Sequence, residues 1–423
     1  MDLTSTFSDF PDSGTLQINV YSQNALIPIS DATVTVTSEP GNRRVQEQVT
    51  TNSSGQTQTL TLPTPPLEFS MIPQGQQPYA QYDITISAPG YETTSITGTQ
   101  LLANELAIQN VRLVPLPENT SEADAPVQDI NIPAHTLNYD YPPKIPEAEI
   151  KPLPDTGEIV LSQVVIPEYI IVHDGLPDDD TAPNYYIPYK EYIKNVASSE
   201  IYATWPESTI YANILAIMSF TLNRVYTEWY RNKLKPFTIT SSTAYDQKWI
   251  YGRNIFSNID YLVDSIFANY LSRPGVRQPI LTSYCDGRRV TCDGLSQWGS
   301  KYLGDEGYSA IEIIRYYYGN DMYINTAQAI SGVPSSYPGY TLTIGSSGQK
   351  VYQMQEQLNR IARNFPAIPR INADGVYGPA TAEAVRTFQS IFDLPATGDT
   401  DYPTWYAISD IYVGVSRIAE PGQ

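Results

Sequence analysis

Two cysteines and two histidines in 423 residues leave little material for a metal centre or a disulfide scaffold. Cys285 and Cys292 alone cannot make the cross-linked framework of a small secreted domain. His135 and His173 are the only imidazoles available for acid–base or ligand duty. Basic residues are scarce too: 25 Lys and Arg against 45 Asp and Glu give a formal net charge of -20 and a pI near 4.4. That balance argues against nucleic acid or an anionic lipid surface as the main partner, because both need a basic footprint. No uninterrupted apolar run is long enough for a bilayer, so no membrane span is expected. The opening stretch Met1 to Ser8 has neither the basic n-region nor the apolar h-region of a secretory signal, and export by that route is not expected.

What is present is length, tyrosine and proline. A chain of 423 residues suggests two to four domains at roughly 100 to 200 residues each. The 33 tyrosines can offer ring faces and hydroxyls to a sugar polymer, although most are expected to pack at surfaces. From Gly14 to about Pro115 short bursts alternate apolar and polar residues, as in Leu16-Gln17-Ile18-Asn19-Val20 and Ala32-Thr33-Val34-Thr35-Val36-Thr37. Between them lie turn formers such as Asn52-Ser53-Ser54-Gly55. This is the period of half-buried strands and predicts a β-sandwich over 1–115. Residues 116–164 are rich in Pro and acid and read as an extended linker and a candidate processing site. After Val164, helical spacing predicts helices over Tyr189 to Ser199 and Glu207 to Asn232 in an α+β domain spanning 165–333. Thr204 and Glu207 fit a capping box for the second helix, which leaves Glu200 at the junction. The tail 340–423 predicts a three-helix module: Gln349 to Asn364, Pro379 to Phe392, and a helix from near Tyr402. The fold class expected is therefore multidomain α+β.

Glycan cleavage needs a carboxylic acid to protonate the leaving oxygen, and Glu200 stands among Ile201, Tyr202 and Trp205, an apolar surround that would raise its pKa. His173, closing the run Tyr169-Ile170-Ile171-Val172, reads as a structural residue. Cys285 and Cys292 could pair, stay as thiols or share a metal between molecules. Asp286 and Asp293, beside glycines, read most simply as turn formers.

Three resemblances sharpen this reading. Tyr82-Asp83-Ile84-Thr85-Ile86-Ser87-Ala88-Pro89-Gly90-Tyr91-Glu92 resembles the strand and Gly-Tyr turn of the carboxypeptidase-regulatory-like, transthyretin-like sandwiches. Val196-Ala197-Ser198-Ser199-Glu200-Ile201, then Trp205-Pro206, Gly294-Leu295-Ser296-Gln297-Trp298-Gly299 and Gly307 to Tyr318 resemble the stage II sporulation protein D family of lytic transglycosylases. That resemblance implies Glu200 as catalytic acid and base, with Thr243, Gln247, Asp293, Ser296, Gln297 and Trp298 as substrate contacts. The family's Gly-His-Gly before the Ser-Gln motif is replaced by Arg289-Val290-Thr291-Cys292-Asp293-Gly294, so the zinc that a Cys and that His can hold is not expected and no cofactor is assigned. Gly345, Gly348, Val351, Gln355, Leu358, Asp374-Gly375-Val376-Tyr377-Gly378, Thr381, Ala384-Val385 and Phe388-Gln389 resemble the small peptidoglycan-binding module.

The order of segments, with Asn131 to Leu137 and Tyr141 to Pro146, resembles the clostridial spore cortex-lytic enzymes. This implies a zymogen held at the spore cortex or the coat-cortex boundary, activated by a serine protease that cuts near Val164-Val165, with cortex peptidoglycan as substrate. The rival readings are a non-catalytic spore-wall binding protein and a hydrolase using a second acid, Asp246 or Asp293.

Overall fold

A computed structural model describes residues 10–23, 26–38, 46–73, 76–117, 126–138, 142–151, 163–333 and 336–416. The chain divides into two compact units, one comprising Met1–Pro65, Tyr79–Ile132 and Val333–Gln423, the other Pro66–Pro78 and Pro133–Gly332. Each is described by itself.

In the first unit the alternating segments form strands β1 (Asp12–Ser22), β2 (Thr33–Thr37), β3 (Gln46–Thr50), β4 (Leu60–Thr64), β5 (Tyr79–Ser87), β6 (Thr93–Leu102), β7 (Leu106–Leu113) and β8 (Val127–Asn131). One sheet runs β3-β2-β5-β6-β8, antiparallel except that β8 lies parallel to β6; in the other, β1 pairs antiparallel with β4 and parallel with β7. The period-two pattern puts Leu16, Ile18, Val20, Val34, Val36, Ile84 and Ile86 in the core, none with any exposure. The sheet continues past the expected limit at 115: β8 uses residues assigned to the linker.

The second unit carries α1 (Tyr189–Glu200), α2 (Glu207–Tyr226), α3 (Ser257–Ile266), α4 (Gln297–Asp305) and α5 (Ala310–Tyr318). Tyr169–His173 pairs antiparallel with Asn184–Pro188 and parallel with Ile239–Thr240. α2 is apolar on nearly every face and is buried along most of its length, from Thr209 to Arg224. It ends at Tyr226 rather than Asn232, the chain turning into a 3-10 segment at Arg231–Lys233. The expected capping box is absent: Pro206 is the N-cap with no side-chain bond, and the Thr204 hydroxyl donates to Ser70 Oγ at 2.8 Å instead. At two glycines here a Cβ would push into a neighbouring side chain. A Cβ on Gly304 would lie 2.0 Å from Thr209 Oγ1, and one on Gly299 would lie 2.1 Å from the Tyr317 hydroxyl oxygen. The buried Lys194 ammonium joins α1 to α3 through Asp260 at 2.6 Å and Asp264 at 3.1 Å.

The tail supplies the first unit's helices, α6 (Gln349–Ile361), α7 (Pro379–Ile391) and α8 (Tyr402–Ser416), as the spacing predicts. It does not stand apart, for Gln56 Nε2 donates to the Ile391 carbonyl at 2.8 Å and the Tyr21 and Phe365 rings meet with centroids 6.5 Å apart. Nor are the linker residues a free spacer: 133–138 and 142–151 belong to the second unit and bond to it, while 118–125, 139–141 and 152–162 lie outside the described residues.

Candidate active site

α1 delivers Glu200 as its last residue, with no solvent exposure. Its Oε1 accepts from the Lys248 backbone N–H at 2.7 Å, and its Oε2 has no hydrogen-bond partner among the described residues. Burial raises the Glu200 pKa above the ordinary carboxylate range, while the Lys144 ammonium, the Lys248 amide and the Tyr284 hydroxyl oppose that rise. Burial favours the protonated form, which is the direction a general acid needs.

Gln247 builds the floor. Its Oε1 accepts from the Tyr192 hydroxyl at 3.0 Å and the Thr221 hydroxyl at 2.7 Å; its Nε2 donates to the Ile217 carbonyl at 3.0 Å and to the Tyr284 hydroxyl at 3.1 Å. All four of its hydrogen-bonding positions are used inside the protein, which corrects the expectation of a direct glycan contact: Gln247 positions Tyr284, which in turn touches Glu200. Asp246, the candidate second acid, is also committed. Its Oδ1 takes Arg224 Nε at 2.6 Å, and its Oδ2 takes the Tyr230 hydroxyl at 2.7 Å, the Thr240 N–H at 2.9 Å and the Thr240 hydroxyl at 2.7 Å.

The Ser-Gln-Trp segment divides by role. Ser296 is the N-cap of α4, accepting from the Gly299 N–H at 2.9 Å, so its oxygen serves the helix. Trp298 is 5% exposed and packs with Trp205 and Tyr202, centroids 5.0 and 6.1 Å away, as core rather than as an open sugar platform. Gln297 is different: fully buried, with neither amide atom hydrogen-bonded among the described residues. Thr243 is buried and Asp293 exposed, on separate loops.

Asp286 ties the turn after Cys285, accepting from the N–H groups of Arg288, Arg289 and Val290 at 3.0 to 3.1 Å. Cys285 and Cys292 are joined as a disulfide, which settles the three options left open by the sequence. The zinc implied by the family resemblance does not fit these residues: the two sulfurs are bonded to each other, and among the described residues no three His, Cys, Asp or Glu side chains gather as ligands. His173 bonds through Nδ1 to Asn184 Oδ1 at 2.9 Å and through Nε2 to the Leu176 carbonyl at 3.0 Å, and stacks on Phe237. His135, buried against Tyr202, bonds to the Ile201 carbonyl, and burial holds its pKa well below the usual value. Val164 is buried and Val165 opens the short strand Val165–Ile166, paired with Ala329–Ile330.

The residue that sequence reasoning missed is Lys144. Its Nζ donates to the Asp246 carbonyl at 2.6 Å and lies 4.2 Å from the Tyr284 ring centroid and 4.8 Å from that of Phe220. Burial pushes its pKa down to about 8 against the pull of Glu200 and Asp246. The only signal was a lysine inside a proline run, and no pattern of spacing marks such a residue.

In the tail, Gln355 organises the Asp374-Gly375-Val376-Tyr377-Gly378 turn. Its Oε1 accepts from the N–H groups of Asp374 at 3.1 Å and Gly375 at 2.9 Å, and its Nε2 reaches Asp374 Oδ1, the Val376 carbonyl and Thr381 Oγ1 at 3.0 to 3.2 Å.

The peptidoglycan binding domain family matches residues 347–408, so the tail carries a peptidoglycan-binding domain and peptidoglycan stands as a partner. No curated protein matches the chain. Solved structures with some likeness include the Bacillus anthracis TIE protein (16% identity, TM-score 0.18, 25% of this chain and 17% of that one). Others are GBS52, the minor pilin of Streptococcus agalactiae (11%, 0.19, 26% and 48%), and catechol 1,2-dioxygenase of Acinetobacter radioresistens (17%, 0.19, 30% and 60%). The chain thus spans 17% to 60% of their own lengths, and at these TM-scores the likenesses carry no argument.

Proposed function

We propose that the chain is a lytic transglycosylase of spore-cortex peptidoglycan, akin to the clostridial spore cortex-lytic enzyme SleC, held on the wall by its tail and made as a zymogen that a serine protease activates at germination. The observation that carries the reading is Glu200: a fully buried carboxyl, raised in pKa by burial, with one oxygen held by a backbone N–H and the other without a hydrogen bond among the described residues. A protonated Glu200 gives its proton to the leaving glycosidic oxygen as the bond to the muramoyl anomeric carbon breaks. The resulting carboxylate then takes the proton of the same sugar's C6 hydroxyl as that oxygen bonds to the anomeric carbon, leaving a 1,6-anhydro end. One carboxyl suffices for both steps. A hydrolase would need a second free carboxylate, and the bonds to Arg224, Tyr230 and Thr240 leave Asp246 poorly placed to act as one.

The test is mass spectrometry of muropeptides released from purified cortex by the protease-treated chain, beside its Glu200→Gln variant. Anhydromuramic ends from the first alone are expected. Reducing ends would mean a hydrolase. No release would leave a wall-binding protein, the reading favoured by the missing family histidine.

A further inference from the structure

Glu200 is covered, and part of what lies beside it comes from outside the expected catalytic domain. The stretch Pro142–Lys151, rich in proline and read from sequence as linker, lies extended and makes bonds all along its length. Ile145 N–H donates to the Ala244 carbonyl at 2.8 Å, Lys151 N–H to Gln278 Oε1 at 2.8 Å, and the Glu149 carbonyl accepts from Leu281 N–H at 2.8 Å. Its acids are forked by arginines. Glu147 takes Arg224 Nη1 at 2.9 Å and Nη2 at 2.7 Å, and Glu149 takes Arg273 Nε at 2.7 Å and Nη2 at 2.8 Å. Lys144 belongs to the same stretch: its ammonium lies over the faces of Tyr284 and Phe220 and on the Asp246 carbonyl, and its charge favours the Glu200 carboxylate.

We propose that Pro142–Lys151 is a built-in competitor lying in the glycan groove, with the Lys144 ammonium in the place where positive charge develops on the anomeric carbon during cleavage. The inference rests on the lytic reading of Glu200 and names the regulation of that same site. A glycosidase site is shaped to hold an oxocarbenium-like cation beside a carboxylate. An ammonium beside the same carboxylate and over an aromatic face satisfies that preference without reacting. It also draws the Glu200 proton away, since a neighbouring cation favours the carboxylate. The inhibitory element is then the strap, not the sandwich, and Glu147 and Glu149 are the clasps that hold it.

The test uses the full chain, uncut, as wild type, Lys144→Met, Lys144→Met with Glu147→Gln, and Lys144→Arg. Two readouts are taken: muropeptide release from purified cortex, and protection of the Lys248 and Tyr284 amides from hydrogen exchange by a soluble β-1,4-linked N-acetylglucosamine hexamer. When the strap is docked most of the time, apparent affinity falls by the open fraction, so Lys144→Met should raise either readout by about tenfold and the double variant by more. Lys144→Arg, which keeps a cation, should stay near wild type. If neither readout rises in Lys144→Met or the double variant, or if the uncut wild type already equals them, the strap is not the competitor. Hexamer protection without release would leave the strap standing and sink the cleavage reading instead.

Discussion

The turn of the wall-binding tail and the cluster at the end of α1 are both built around a buried side chain with a polar head, yet they differ in how that head is matched. In the tail, Gln355 has both amide ends engaged by backbone and Thr381. At the α1 end, among the described residues, Glu200 Oε2 is unmatched and the buried Gln297 amide has no bond at either end. Buried polar groups are almost always satisfied, so the contrast separates a glutamine that holds a turn together from two side chains whose polar atoms do not serve that purpose.

The largest effect should come from removing the proposed proton donor. Glu200→Gln in the activated chain is expected to lower the rate of glycan cleavage by about a thousandfold, a loss of roughly 4 kcal/mol of transition-state stabilisation, with unchanged circular dichroism. Activity within a few-fold of wild type would break the contrast at its centre. On the matched side, Gln355→Leu strands the Asp374 and Gly375 N–H groups and the acceptors opposite, and should cost about 3 kcal/mol in tail stability by denaturant unfolding. A change below about 0.5 kcal/mol would mean that the turn does not need its glutamine.

A smaller effect follows from linkage. A carboxyl whose folded pKa is raised above its unfolded value stabilises the fold fully only below the unfolded value, and that contribution is lost as pH rises through the folded one. Glu200→Gln should therefore melt higher than wild type at pH 8, with the advantage gone at pH 4; equal melting temperatures at pH 8 would remove burial as the cause. The smallest stability effect is reserved for Gln297→Leu, expected within about 0.5 kcal/mol of wild type because no bond is lost, while glycan cleavage falls. A large destabilisation there would show that its amide is matched after all.

The same contrast explains what could be read from sequence. The sandwich strands and the tail helices follow periods of two and 3.6, and the Asp-Gly-Val-Tyr-Gly turn depends on residues close in the chain, so the pattern alone carries them. Glu200 was singled out through the family resemblance, and its neighbours Ile201, Tyr202 and Trp205 gave only the apolar surround. Gln247 was found but misread, because nothing in the spacing of Ser241 to Gln247 says that Tyr192, Thr221, Ile217 and Tyr284 converge on one amide. The strap was hidden further, since proline and charge look the same in a solvated spacer as in a segment whose acids are clasped by Arg224 and Arg273. Thr204 failed as a cap for a comparable reason: Ser70, some 134 residues earlier in the chain, claimed its hydroxyl.

The bond from Gln56 to Ile391 and the ring contact of Tyr21 with Phe365 join the two ends of the chain within one unit, while Ser70, from the crossover after β4, accepts the Trp205 indole N–H at 2.9 Å within the other. A protease cut anywhere between Lys151 and Val165 therefore turns one molecule into a two-chain complex rather than into two molecules. Under the proposed zymogen reading, activation would be a matter of dissociation as well as of peptide-bond cleavage. Its pace should then depend on dilution, and on whatever wall surface competes for the tail.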